Sequence, residues 1–434
     1  MNEPAAVFWF RRDLRLEDNA GLFHALNSGF PVIPLFIFDK NILDDLSDKK
    51  DRRVIFIHRQ LQKLSKEIEK TGSTLVIKTG KPEDVCKNLV SSMNISAVYT
   101  NRDYEPYARE RDGKIENILK ENGRQFHSFK DQVVFEKDDI LKQDGNPYAV
   151  FTPYKNRWLD TLTEMHLPFY DSSKHLNRFL KMDSEKIPSL EEIGFQEVEF
   201  EFPSAEIDED IIHNYHKTRD YPAMPGTTRL GIHLRFGTIS IRKLVKTARK
   251  LNKTFLSELI WREFFMMILH HHPRVVREAY RTQYDDIKWI DNDEHFRLWC
   301  EGKTGYPMVD AGMRELNETG YMHNRVRMIT ASFLAKHLLI EWRRGEKYFA
   351  DRLLDFELSS NNGNWQWAAG SGCDAAPYFR IFNPESQLDK YDPDHKYIKK
   401  WIPEFESPEY PDPMVNHKKA RERALETYQK AVRN

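Results

Sequence analysis

The sequence predicts an α/β N-terminal domain, a doubly wound parallel sheet, followed by an all-α C-terminal domain. Three observations predict it. Short apolar runs alternate with helical stretches through the first 130 residues. From about residue 206 onward the chain is helix-rich with short breaks. Its 434 residues also exceed the usual size of one hydrophobic core, so two domains are the default.

AVFWF (5–9), VIPLFIF (32–38), STLVIK (73–78) and AVYT (97–100) read as buried strands. Residues 52–70 and 82–93 carry helical periodicity between them. Strands that alternate with helices argue for parallel pairing with helices on both faces. No G-x-G-x-x-G follows the first strand; FRRDLRLEDN (10–19) stands there, which argues against the usual nicotinamide dinucleotide site. Residues 135–205 hold many prolines, glycines and acidic residues with weak periodicity, and read as a connector wrapping between domains. The expected organisation is an N-terminal domain over 1–130, a connector over 131–205 and a helical domain over 206–434. A last helix-like stretch, MVNHKKARERALETYQKAV, runs almost to Asn434, and no disordered tail is expected.

A hydrophobic content of 40% supports real cores, and 31% charged residues is ordinary for a globular chain. Cys86, Cys300 and Cys373 are odd in number and far apart. They suggest neither a disulfide framework nor a metal cluster, and fit a reducing cytoplasm. No apolar signal core opens the chain and no run approaches membrane-spanning length, so a cytoplasmic protein without a membrane partner is expected. The net charge of −1 excludes a globally basic nucleic-acid binder. From Arg229 to Lys253, however, there are eight Lys or Arg and no Asp or Glu. Such a stretch could track phosphates; a solvated helix face is the competing reading.

The densest chemistry lies in DFELSSNNGNWQWAAGSGCDAAPYFRIFNP (355–384). Trp365, Trp367, Tyr378, Phe379 and Phe382 sit there among amides and small residues. Gly363, Gly370 and Gly372 allow close backbone approach. A segment of this kind lines a site for a large planar ligand, or else forms an aromatic core corner with tight turns. In SELIWREFF (257–265), Glu258, Trp261 and Arg262 share one helical face at i, i+3 and i+4. In YMHNRVRMITASFL (321–334), Asn324, Arg327 and Met328 share the same spacing and could read a polar ring edge. Alone, the Asn would be a cap and the Met core filler. GTTRLG (226–231) offers hydroxyls and backbone N–H groups ahead of a helical run, where a diphosphate or an ordinary cap would suit. His270, His271 and His272 diverge too widely on a helix to converge on one ion, so no metal is expected. Seven of the nine tryptophans lie in this half, and several near one cofactor could relay electrons.

Together these segments resemble the DNA photolyase and cryptochrome family. The agreement runs from VFWFRRDLRLEDN (7–19) to YDPDHKYIKKWIPE (391–404). Its most specific runs are ELIWREFF, WCEGKTGYPMVDAGMRELNETGYMHNRVRMITASFLAKHLLIEWR (299–343) and NNGNWQWAAGSGCDAAPYFRIFNP. Within the family, the chain most resembles the class I enzymes that repair cyclobutane pyrimidine dimers. The resemblance implies an N-terminal antenna domain and a helical domain that holds FAD in a U shape. Carried over by position, Tyr215, Thr227, Thr228, Arg229, Leu230, Gly231 and Phe255 would hold the cofactor's phosphates and ribityl region. Arg262, Asn324, Arg327, Asp355, Phe356 and Glu357 would surround its rings, and Asn361 would face the reactive ring nitrogen. Trp365, Trp342 and Trp289 would be the proximal, middle and distal members of a photoreduction chain. Two departures stand out: Asp355-Phe356-Glu357 replaces a common Asp-Gly-Asp, and Gly231 replaces a common hydroxyl residue.

The implied partner is UV-damaged DNA, bound by a monomer without an obligate protein partner. The family flips the dimer out of the helix, and light-excited reduced FAD lends it an electron that later returns. Trp261 and Trp367 would pack against the dimer, while Glu258, Asn324 and Met328 would contact its polar edges. Arg219, Arg325, Lys390 and Lys399 would follow the damaged strand. Burial beside Trp261 is expected to keep Glu258 protonated, or make it a hydrogen-bond donor, against the dimer radical anion. Tyr107 and Ala108 stand where folate-antenna members carry Asn-Glu, which favours a deazaflavin or flavin antenna held by Arg53, Asp103 and Glu105. The rival function is a cryptochrome-type blue-light photoreceptor. Asn361, a single His323 in MHNRVRM and the lack of a long tail favour repair. A dark flavoprotein electron carrier would leave Glu258 and Trp367 without a use.

Overall fold

The computed structural model describes residues 3–433, which group into two compact units. The first comprises residues up to Glu136 together with Leu162–Ile207 and Arg229–Thr247. The second comprises Lys137–Thr161, Asp208–Thr228 and Ala248 onward. These limits differ from those expected at 130 and 205. The expected connector is divided between the units because its later part is tied to the sheet. Phe179 bridges Val32, Leu180 N–H donates to the Val32 carbonyl and Met182 N–H to that of Gly72.

The first unit is built on five parallel strands in the order β3-β2-β1-β4-β5. β1 (Ala5–Phe10) and β2 (Val32–Asp39) are buried at every position, as central strands covered on both faces must be. β4 is Ile95–Asn101, and β3 is Val76–Gly80 rather than 73–78. Ser73 and Thr74 are buried ahead of the ladder, and Thr74 Oγ1 accepts the Glu185 N–H instead. Periodicity located the helices Arg52–Glu69 and Pro82–Ser92. It missed the edge strand β5 (Gln125–Phe129), whose half-exposed, polar-interrupted QFHSF lacks an apolar run, and the helix Pro106–Glu121.

FRRDLRLEDN folds into a buried polar lattice instead of a phosphate loop. Asp13 accepts the Arg11 N–H at 2.6 Å and the Asn101 side-chain amide at 2.6 Å. Arg15 pairs with Asp131 at 2.7 Å; Arg242 bridges Asp131 at 2.8 Å and Asp18 at 3.0 Å. Two cations of the basic 229–253 stretch are thus committed inward, Arg242 here and Arg235 to Glu105 at 2.7 Å. Breaking any such buried pair would strand a charge, which typically costs about 3–5 kcal/mol.

The second unit is helical. Its longest helix, Lys253–His271, is capped by Asn252, whose side chain accepts the N–H groups of Thr254 and Phe255. Leu358–Ala369 is capped by the Glu357 carboxylate and stopped by Gly370 at φ 91°, a left-handed turn that glycine adopts freely. Asn324–Ser332 runs into a π turn over Phe333–His337, and Trp342–Arg352 follows. The helix Phe151–Glu164 arises inside the expected connector, with Phe151, Tyr154 and Trp158 at helical spacing and buried. Among the described residues, no helix is long and apolar enough to cross a membrane, and no group of His, Cys, Asp and Glu could hold a metal.

Buried His337 faces His417 across a 2.8 Å ring-nitrogen hydrogen bond. Burial first, then the neighbouring His417, Lys336 and Arg423, lower its pKa to about 3. The unfolded chain therefore takes up this proton near its ordinary pKa, and the folded protein does not. Stability present above the unfolded value should be lost as pH falls toward 3, by up to about 1.4 kcal/mol per pH unit. Urea midpoints between pH 7 and pH 4 should fall in the native protein and fall less in His337→Gln.

Candidate functional site

Two cavities lie side by side in the second unit. The first is lined by Arg327, Asp355, Phe356, Glu357, Asn361 and Trp365, among others. The second is lined by Arg219, Glu258, Trp261, Arg262 and Phe265. Asn324, Met328, Ser360, Asn364 and Trp367 line both and form the shared wall.

The wall is mostly one face of Leu358–Ala369, where Ser360, Asn364 and Trp367 recur at i, i+4 and i+7. The helix is held at contact distance from both sides. A Cβ on Gly363 would lie 2.1 Å from the Phe265 ring, and one on Gly345 would lie 2.2 Å from the Trp365 indole. Glycine at these two positions lets Phe265 and Trp365 reach the helix–helix seams they fill. Trp365 is also packed edge-on by Phe349 at 5.0 Å and Trp299 at 6.2 Å.

The first cavity has a polar rim suited to a heteroaromatic edge. Arg327 donates to both Asp355 oxygens at 3.0 and 3.2 Å and, through Nε, to the Met322 carbonyl at 2.7 Å. Asn361 Nδ2 donates to the Glu346 carbonyl at 3.1 Å. That bond uses one of the two amide N–H groups and fixes the amide plane, with the amide oxygen as an acceptor for a ligand. Behind it, burial raises the Glu346 carboxyl to about 7, although the Asn362 amide bond at 3.1 Å and Arg343 pull the other way. Glu357 lines the cavity, but its carboxylate also serves the helix: it accepts the Ser360 N–H and hydroxyl at 3.1 Å each, and the Ser359 hydroxyl.

The second cavity carries two indoles, Trp261 and Trp367, with Glu258 and Arg262. Glu258 does not sit buried beside Trp261 as expected. Its side chain is 31% exposed and forms an ion pair with Arg219, accepting NH1 at 2.5 Å. Arg325 pairs with Asp220 at 2.6 Å and lies over the Tyr391 ring. Lys390 is exposed over the same ring, and exposed Lys399 pairs with Glu406 at 2.7 Å.

The remaining candidates spread more widely. Arg262 lines the second cavity rather than the first. Tyr215 packs edge-on to Phe255 at 5.1 Å, and Thr227 shares a 3.0 Å hydroxyl hydrogen bond with Tyr321; none of these lines either cavity. Thr228 belongs to the second unit, and Arg229, Leu230 and Gly231 to the first. Arg229 adopts a positive φ of 52°, a conformation costly for a side-chain-bearing residue. Trp342 and Trp365 are buried in one core cluster, with Trp289 partly buried at its margin. In the first unit, Arg53 pairs with Asp51 at 2.5 Å, its own helix cap. Asp103 and Glu105 both hold Arg12, at 3.1 and 3.0 Å. Burial alone would raise Asp103, but the guanidinium groups of Arg12 and Arg235 hold it well below the usual carboxylate range. These three side chains are therefore engaged with protein partners. Sequence reasoning missed Ser360, Asn364, Phe265 and Glu346; the i, i+4, i+7 spacing with Trp367 could have found the first two.

A family model described as DNA photolyase matches residues 6–171, and one described as FAD binding domain of DNA photolyase matches residues 255–409. The curated deoxyribodipyrimidine photo-lyase of Agrobacterium fabrum is 37% identical, over 97% of each chain. A bacterial class III photolyase structure from Agrobacterium tumefaciens superposes with TM-score 0.87 at 35% identity, covering 100% of this chain and 99% of that one. The cryptochrome structure from Synechocystis superposes with TM-score 0.86 at 26% identity, covering 98% and 99%. With a parallel-sheet unit, a helical unit and a cavity whose donors and acceptors suit a flavin edge, this chain belongs to the DNA photolyase family, and its helical half is that family's FAD-binding domain.

Proposed function

We propose that this protein repairs cyclobutane pyrimidine dimers in UV-damaged DNA, using light. One observation carries the reading: a flavin-type cavity shares a wall with a second cavity bearing two indoles and a carboxylate. Arg327, Asp355, Asn361 and Glu357 would hold the flavin's polar edge, and Trp365, Trp342 and Trp289 would serve its photoreduction. Bound FAD, when reduced and excited by light, supplies the electron that opens the cyclobutane ring and recovers it afterwards.

The chain's own residues do the rest. Extruding a base from a stack costs a few kcal/mol, least for a distorted lesion. Trp261 and Trp367 would recover that cost by stacking on the dimer, about 1–3 kcal/mol per base. The shared wall keeps dimer and flavin adjacent and excludes water between them. Arg219 and Arg325 hold Glu258 and Asp220 in the free protein, and phosphate would compete with those carboxylates for the guanidinium groups. Release of Arg219 to the strand would free Glu258 to meet the dimer's polar edge. A deazaflavin or flavin antenna beside the first unit remains part of the proposal, with Arg53, Asp103 and Glu105 as candidate contacts.

The test is a dimer-containing oligonucleotide incubated with reduced protein in light and in dark. Light-only recovery of intact pyrimidines is expected. FAD-loaded protein that restores none would favour the photoreceptor reading, which the cryptochrome's similarity makes the natural second choice. In the same assay, Glu258→Ala should lower repair per absorbed photon more than it weakens lesion binding; equal losses would remove its role in the electron-transfer step.

Arg325→Ala should weaken damaged-DNA binding and reduce the slope of log affinity against log salt by about 1. A slope equal to that of the native protein would place Arg325 off the strand.

A further inference from the structure

The wall behind Trp261 comes from the segment whose sequence reads as a connector. Phe151 lies face to face on the Trp261 indole, with ring centroids 3.6 Å apart and planes 8° apart. Phe265 and Phe264 close in on the same indole at 5.4 and 5.6 Å. Phe151 is itself fixed: it is buried, and its N–H donates to Asp374 Oδ2 at 3.1 Å. Two further contacts clasp its helix to Lys253–His271. Tyr154 packs on Phe264 at 5.3 Å, and Trp158 Nε1 donates to the buried Glu263 carboxylate at 2.6 Å.

We infer that Phe151 is a positioning residue for lesion binding. It lines neither cavity and so touches no ligand there. It covers one face of Trp261 and blocks rotation of the indole, so the ring meets an incoming base in a preset plane. A stacking platform that must first be ordered loses affinity by the cost of ordering, and a platform already clamped does not. The inference rests on the reading of the second cavity as the lesion site.

The test uses full-length FAD-loaded protein, titrated in the dark with a thymine-dimer oligonucleotide and with its undamaged counterpart. Phe151→Leu keeps an apolar side chain of similar bulk but removes the ring. Lesion binding should weaken about three- to tenfold, the equivalent of one aromatic pair. FAD content and binding of undamaged DNA should be unchanged, and Phe151→Tyr should restore lesion affinity. The near-ultraviolet circular dichroism of the stacked pair should disappear in the Leu variant and persist in the Tyr variant. Native lesion affinity in Phe151→Leu would overturn the inference. So would loss of FAD, which would make the residue a mere support of the fold, or a Tyr variant as weak as Leu. Native protein that binds both oligonucleotides alike would instead overturn the lesion reading itself.

Discussion

The arrangement of both cavities depends on how closely Leu358–Ala369 can be approached. Two glycines set that distance, Gly363 on the helix itself and Gly345 on its neighbour Trp342–Arg352. Each faces an aromatic ring where even one methyl group would collide. Packed interiors tolerate such overlap poorly; overpacking costs about 1–3 kcal/mol and moves backbone. Because the helix is gripped from both sides, its exposed face becomes a thin, fixed partition. Ser360, Asn364 and Trp367 on that face each belong to two cavities at once.

A thin partition explains why the polar groups around it are arranged in tiers. Asn361 is aimed by the Glu346 carbonyl, and Asn362 by the Glu346 carboxyl and the Val275 carbonyl. Gln366 continues the row, donating to Val275 and accepting from Tyr280 N–H. Asn362 and Gln366 line neither cavity, Asn361 reaches the first, and together the three amides leave the helix little freedom for rotation about its axis. Preorganisation of this kind places donors and acceptors before a ligand arrives, so little binding energy is spent on ordering them.

Much of this was legible in the chain. Apolar runs located four of the five strands: the three central ones, which are buried on both faces and need continuous apolar residues, and the edge strand Val76–Gly80, whose start is buried with Leu75. The edge strand Gln125–Phe129 carried no such run. Asn324, Met328, Asn361, Trp365 and Trp367 were legible through their segments and do line the cavities. What the chain hid was partnership. Nothing in the spacing of Arg219 and Glu258 tells that they meet, 39 residues apart, in an ion pair. Nor does Glu357 announce that its carboxylate caps the next helix as well as lining a cavity. The helix Phe151–Glu164 was missed because prolines and glycines on either side diluted its periodicity, although Phe151, Tyr154 and Trp158 keep helical spacing.

Two indoles separated only by Gln366 thus stand in different surroundings: Trp365 lies buried against Phe349 and Trp299, while Trp367 stands in the partition. The most direct measurement compares Trp365→Phe with Trp367→Phe for two quantities, the rate of FAD photoreduction and the dark affinity for a dimer-containing oligonucleotide. Trp365→Phe should lose photoreduction and keep lesion affinity, and Trp367→Phe should do the reverse. Parallel losses of both quantities in both variants would contradict a partition that serves two sites separately.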